Sequence, residues 1–382
     1  MKSIITVFIL LFSFAFLISS LQGNTLEEIT SHDPWIHVDL NSGSPLARLD
    51  HEKLRFHLDI APNVDERIVS PVVIDLLQSN GIKKGFRFYK TSVMHPKLSD
   101  RYPEIKSYMG IGTSNSSHRA SIVMNGEKVY GFIATEIGNS IFKATGDSNE
   151  DLIQITRERD LDSQKSCDVI DTMSHSTRDV NDDVFPECVG VDDPCYPVGS
   201  ELVTYRFAGI ITEDVNAEVA DGTVVGGLAW MVAMVNQVNA LWIRDLSFQL
   251  QMVEDSDLII HTSSNPAPSQ FKQECPEAGN PRNCELPEVE PYLETIIGPG
   301  GWDDDAQARE WEYGACFDIG YGGGLAYCPG PTSVNSPSFG VFSHEIMHNV
   351  GSNHNITRED GFRSSIGGNI MYWVTPPATA AI

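Results

Sequence analysis

Near the C-terminal end of this 382-residue chain, His344, Glu345, His348 and His354 stand in the pattern H-E-x-x-H-x-x-G-x-x-H. On a helix, His344 and His348 are four residues apart, about 40° past one full turn, so both rings leave the same face. Gly351 has ready access to the left-handed backbone that ends a helix and reverses the chain. That reversal lets His354 approach from a second direction. Three neutral imidazoles suit zinc, and three protein ligands leave the fourth tetrahedral position for water. Glu345 is placed to act as the base toward that water. A bare pair of histidines four apart reads better as two surface residues on an amphipathic helix. The full pattern, with its glycine and third histidine, arises by chance in on the order of one such chain in twenty thousand, which favours the metal.

Beyond His354 comes Gly367-Gly368-Asn369-Ile370-Met371-Tyr372, a glycine-rich approach to a methionine in an apolar setting. With this segment the chain resembles the metzincin metalloproteases, defined by the long zinc motif and a methionine-containing turn. The resemblance implies that Met371 forms an apolar floor under the histidines; a methionine filling an ordinary core gap is nearly the same physical statement. Some metzincins add a tyrosine ligand two residues after the methionine. That position is Trp373 here, so Tyr372 is not expected to bind metal. The resemblance further implies metal-assisted hydrolysis of protein or peptide substrates, with one catalytic Zn2+ and Glu345 as general base. It places the substrate-binding edge strand within Phe317 to Cys328, around Gly323, Gly324 and Leu325; a flexible glycine loop is the alternative there. Pro186-Glu187-Cys188-Val189-Gly190-Val191 is similar to the cysteine switch of metzincin prodomains, which makes Cys188 a candidate ligand for the open zinc position. A Cys188–Cys195 bridge competes with that reading and would leave Cys167 as the alternative switch.

The elements that must position these residues follow from periodicity. Val203 to Ile211 reads as a strand, Gly222 to Trp242 as a long helix with apolar residues three and four apart, and Leu246 to Met252 as an alternating strand. Strand, helix, strand predicts an α/β domain. The run Val235-Asn236-Gln237-Val238-Asn239-Ala240-Leu241 followed by Arg244-Asp245-Leu246 resembles the first helix and second strand of the reprolysin (adamalysin) branch. The astacin-like and serralysin-like branches are the alternatives. The fold expected is thus α/β: a metzincin-type catalytic domain, a twisted mixed sheet packed with helices and carrying the zinc helix and methionine turn. Ahead of it, residues 24–173 read as a β-rich module. Short β-like runs such as Ala120 to Met124 and Val129 to Ile133 flank Asn125-Gly126, a strong hairpin signal. Arg101 to Gly112 in this module resembles reprolysin prodomains, which implies that the chain's own prodomain inhibits it.

The expected organisation is residues 1–23 as signal peptide, 24–173 as β-rich prodomain, 174–199 as linker carrying the thiol, and 200–382 as catalytic domain. Only eleven residues follow Met371, so that domain looks truncated at its C-terminal end. Met1-Lys2, an apolar run from Ile4 to Ile18 and small residues Ser19 and Ser20 make a secretory signal rather than a membrane anchor. Seven cysteines suit a secreted, disulfide-bonded chain, with Cys275–Cys284 and Cys316–Cys328 as the nearest downstream pairs. Asn115-Ser116-Ser117 and Asn355-Ile356-Thr357 are glycosylation sequons. A net charge of −26 argues against nucleic acid as a partner. Asp303-Asp304-Asp305 read as capping acids for a helix over Ala306 to Tyr313; Ca2+ there is an alternative without the complete loop pattern. A non-catalytic secreted zinc-binding module, or an incomplete protease fragment, is the rival to the enzyme.

Overall fold

Alternating side chains and tight turns dominate the first half of the chain. In the computed structural model they build a nine-stranded sheet. The structure describes residues 32–40, 44–126, 128–144, 152–157, 167–171, 202–272, 285–301, 309–319 and 324–350. The strands of the first sheet are β1 (Trp35–Asp39), β2 (Leu46–Leu49), β3 (Val73–Leu77), β4 (Lys83–Lys90), β5 (Ile105–Gly112), β6 (Arg119–Asn125), β7 (Lys128–Thr135), β8 (Gly138–Ala144) and β9 (Leu152–Arg157). They lie in the order β1-β2-β9-β8-β7-β6-β5-β4-β3, and every pairing is antiparallel. The Asn125-Gly126 signal is a hairpin: Asn125 pairs with Lys128, and Gly126 sits at φ +60°, a conformation that favours glycine. Helix α1 (His51–Asp59), capped by the Asp50 carboxylate on the Lys53 amide, covers one face. A short helix, α2 (Pro96–Arg101), joins β4 to β5.

Central strands of this sheet are buried on both faces. On β6, Ile122 points into the core shared with α1, while its neighbour Val123 points into a second core. That second core is organised by α4 (Val224–Asp245), which follows the short α3 (Glu213–Val219). The sequence pattern predicts a helix laid on one sheet; α4 instead lies between two, and every residue from Gly226 to Trp242 is buried. A helix that is apolar nearly all round belongs in such a position. Its two buried asparagines find partners there. Asn239 donates to the Leu250 carbonyl and accepts from the Leu250 amide, both at 2.8 Å, pinning α4 to the strand that follows it.

The second sheet contains β10 (Cys167–Asp171), β11 (Val203–Ile211), β12 (Phe248–Met252), β13 (Tyr313–Phe317), β14 (Gly324–Cys328) and β15 (Thr332–Asn335), ordered β10-β14-β15-β13-β11-β12. Strand β11 pairs in parallel with β12 and β13, and β13 with β15; β14 runs antiparallel to β15. Helix α5 (Leu286–Ile296) closes a third core on the far face of this sheet. Helix α6 (Phe339–Asn349) joins α4 on the near face.

Taken whole, the described residues form a largely antiparallel β structure with few helices. This overturns the expectation of an α/β, metzincin-type architecture. The parallel crossover around α4 is local, whereas the hairpin-coded segments from 35 to 157 supply most of the strands. A further correction concerns Ala306 to Tyr313. Its described part is not helical: Trp311 bridges Gly300, and Tyr313 opens β13. Trp311 is fully buried and donates from its indole to the Gly298 carbonyl, tertiary packing that overrides the local acidic cap signal. The Cys316–Cys328 pairing also fails, because β15 lies between β13 and β14. Two strand spacings, about 9.6 Å, exceed the reach of a disulfide.

Candidate metal site

Helix α6 starts at Ser338, an extended residue after Pro337 whose carbonyl accepts from the Phe342 amide. Phe339, Phe342 and Ile346, three and four apart, form the stripe that anchors it in the central core. The Phe342 ring lies 5.4 Å from that of Phe207 and 5.1 Å from that of Phe317. At the other end, Asn349 donates from its side-chain amide to the carbonyls of Tyr327 (3.1 Å) and Thr332 (2.8 Å). Its own carbonyl accepts from the Gly330 amide at 3.2 Å. The helix is therefore bolted to the β14–β15 hairpin. Sequence reasoning missed Asn349 as a positioning residue, although its place beside His348 is where a buried amide would be useful.

With the helix fixed, the two histidines converge. His344 and His348 are both buried, and their Nε2 atoms stand 3.0 Å apart with the rings at 89°. Nitrogens sharing a tetrahedral zinc, each about 2.0–2.1 Å from it, are separated by about 3.3 Å. A small rotation of either ring meets that requirement, so the pair fits a zinc ion; the same contact also serves as an N–H···N hydrogen bond between opposite tautomers. Glu345 is fully buried beside them. Its carboxylate packs against Gly324, the first residue of β14, where a side-chain carbon would overlap it. Gly324 thus lets the backbone of β14 approach Glu345 closely.

The remaining expected site residues divide by place. Leu325 follows Gly324 on β14, but its side chain is buried with Leu293 and Val334 in the core on the sheet's far face. Only its backbone is on offer to a ligand. Gly323, His354, Met371 and Cys188 lie outside the described residues, as do the signal segment, the Asp303 cluster and the second sequon. Among the described residues, no group of three or more His, Cys, Asp or Glu side chains assembles to hold a metal.

The edge of β14, expected to be open to a peptide, carries another part of the chain. Strand β10 pairs with it in parallel from Cys167 opposite Gly324 to Asp171 opposite Cys328. The β-branched residues of Cys167-Asp168-Val169-Ile170-Asp171 were the available signal for this strand. Burial, with the Glu290 charge behind it, pushes the Tyr327 phenol on β14 upward.

Neither a family model nor a curated protein matches the sequence. Among solved structures, the chain is similar to the crystal structure of metalloproteinase-II from Bacteroides fragilis, at 13% identity over 84% of this chain and 88% of that one, with a TM-score of 0.43. So distant a likeness carries no argument about activity. The chemistry rests on the residues themselves.

Proposed function

We propose that the chain is a secreted zinc-dependent endopeptidase made as a zymogen. The single observation that carries this is the convergence of His344 and His348 on one point, with Glu345 buried beside them, inside a motif whose third histidine is His354. His344, His348 and His354 would hold the ion, with Met371 beneath them. When bound, zinc supplies Lewis acidity and lowers the pKa of its water toward about 7. Glu345 would act as the general base, taking a proton from an attacking water and returning it to the leaving amine. The β14 backbone orders an extended peptide as an added strand, with main-chain hydrogen bonds supplying affinity.

Latency follows from the same edge. With β10 paired along β14, an incoming peptide has no backbone partners there. The chain's own N-terminal half acts as the inhibitor in this reading, and Cys188 is proposed to take the open zinc position. The signal-like segment at Met1 to Ser20 supports export, and the net charge of −26 supports a partner other than nucleic acid.

Glu345→Ala tests the reading. After cleavage of the 174–199 segment, the variant is expected to retain about one zinc per chain by elemental analysis. Its hydrolysis of an unfolded protein should fall on the order of 10²–10⁴-fold. Wild-type turnover in that variant removes Glu345 from the chemistry. Zinc binding by the wild-type protein with no hydrolysis at all favours a non-catalytic zinc-binding module or an incomplete protease.

A further inference from the structure

The N-terminal sheet holds the half that carries α6 by more than the strand paired along β14. Val93, Met94, Leu98, Ile105, Val123 and Phe132, all buried, belong to one continuous apolar cluster with α4, α6 and the near face of the second sheet. Phe132 of β7 packs on Phe339, the first residue of α6, with ring centroids 4.7 Å apart. Buried polar groups cross the same boundary. Asn236 of α4 donates to the Tyr108 carbonyl at 2.9 Å and to Ser121 Oγ at 3.2 Å, and accepts from Thr91 Oγ1 at 3.1 Å. The β12 edge of the second sheet is engaged as well. Met94 bridges Met252 in parallel, the Met252 amide donates to the Val93 carbonyl at 2.8 Å, and the His95 amide donates to the Met252 carbonyl at 2.9 Å. Ion pairs Lys97–Glu254 (2.9 Å), Arg101–Asp257 (2.7 Å) and Lys128–Asp221 (3.1 Å) rim the contact.

Both edges of the second sheet therefore carry N-terminal segments: β12 the Val93–His95 stretch, β14 the strand β10. The two differ in kind. Strand β10 contributes backbone pairing alone to that statement, whereas residues 32–157 share a core with α4. Removing them would strip an apolar helix of one of its two sheets, the situation of an obligate interface that resembles a protein interior cut in half.

We propose that residues 32–157 are a permanent subunit of the mature protein. Cutting the chain between residues 172 and 201 leaves the two halves associated, and opening of the β14 edge requires only that β10 detach. The second clause rests on the zymogen reading above; the first does not.

The test inserts a recognition sequence for a site-specific protease between residues 172 and 201 of the full chain, cuts it, and follows the fragments by size-exclusion chromatography. The expected result is one peak at the size of the uncut chain, with both fragments in equal amounts. It should persist in about 1 M salt, where screening reaches about 3 Å and the exposed rim pairs contribute little. Separation of the fragments in native buffer overturns the proposal. Separation on adding salt alone also overturns it, because ion pairs would then be the holding force. In a second arm, Asn236→Ala should lower the urea concentration at which the fragments part. An unchanged value removes Asn236 from the interface argument. No readout depends on turnover, so an inactive chain that co-elutes and an active one whose halves separate are told apart.

Discussion

In the first sheet, strands lie almost in the order they are made: of the neighbours in β1-β2-β9-β8-β7-β6-β5-β4-β3, only β2 and β9 are not consecutive in the chain. In the second sheet, β10-β14, β15-β13 and β13-β11 all join strands separated by other strands or helices. The difference lies in how each region pays its loop-closure entropy. Hairpins close short loops and are specified by the residues at the turn; parallel and long-range pairings close long ones and depend on a core that forms elsewhere. The candidate site draws on both kinds. His344, Glu345 and His348 sit on α6, yet what holds α6 in place is Asn349 on the β14–β15 hairpin and a phenylalanine from β7.

If the two sheets were independent, a defect in one would leave the other standing. Two adjacent residues of β7 decide this. Ile133 packs in the core shared with α1, and Phe132 in the core shared with α4 and α6. Phe132→Ala should cost roughly 3–5 kcal/mol and Ile133→Ala roughly 2–5 kcal/mol. Both should move a single urea transition, read in parallel by tryptophan fluorescence and circular dichroism. Two separable transitions, with Ile133→Ala shifting only one, would break the picture of a common core.

A smaller effect, confined to chemistry, is expected at the contact between β14 and Glu345. Gly324→Ala places a methyl group where the Glu345 carboxylate lies. Turnover should fall on the order of 10²-fold, as expected when a catalytic group is displaced by about 1 Å. The unfolding midpoint should move far less than for Phe132→Ala. Loss of folding together with activity would show that Gly324 serves packing rather than placement.

What the sequence made legible follows the same division. The Asn125-Gly126 hairpin, the β11 segment and the long apolar helix are written in local pattern, and the structure contains each of them. The spacing of His344 and His348 is likewise local, and the helix brings their nitrogens to 3.0 Å. The second face of α4 was hidden, because an apolar stripe does not say how many sheets will cover it. The pairing of β10 on β14 was hidden for a related reason: over 150 residues separate the partners, and alternation names a strand without naming its neighbour. One strand–helix–strand crossover does not set the overall architecture, because the hairpin-coded segments from 35 to 157 supply most of the strands. Gly126→Ala sharpens this local side: the φ of +60° there should make the variant roughly 1 kcal/mol less stable, with the site chemistry untouched. Turnover that fell with it would tie the hairpin to the site.

The weakest expected effect lies at the rim of the first sheet, where three of its segments meet through charge. Lys84 of β4 and His118, just before β6, both contact Glu136 in the β7–β8 turn. The hydrogen bond from Lys84 leads, with a backbone hydrogen bond and the nearby His118 charge behind it, in holding the Glu136 carboxyl down to about 2 from its usual 4.5. A depressed carboxylate adds stability above its unfolded pKa and loses it as pH falls through the folded one. The window here is therefore pH 4.5 down to about 2. Glu136→Gln should lower the urea midpoint slightly at neutral pH, and the gap to wild type should close across that window. High salt should shrink it as well, since the group is solvent-exposed. A gap that stayed constant with pH would mean that Glu136 acts through hydrogen bonding alone, and that the local edge of the first sheet is held, like its hairpins, without help from charge.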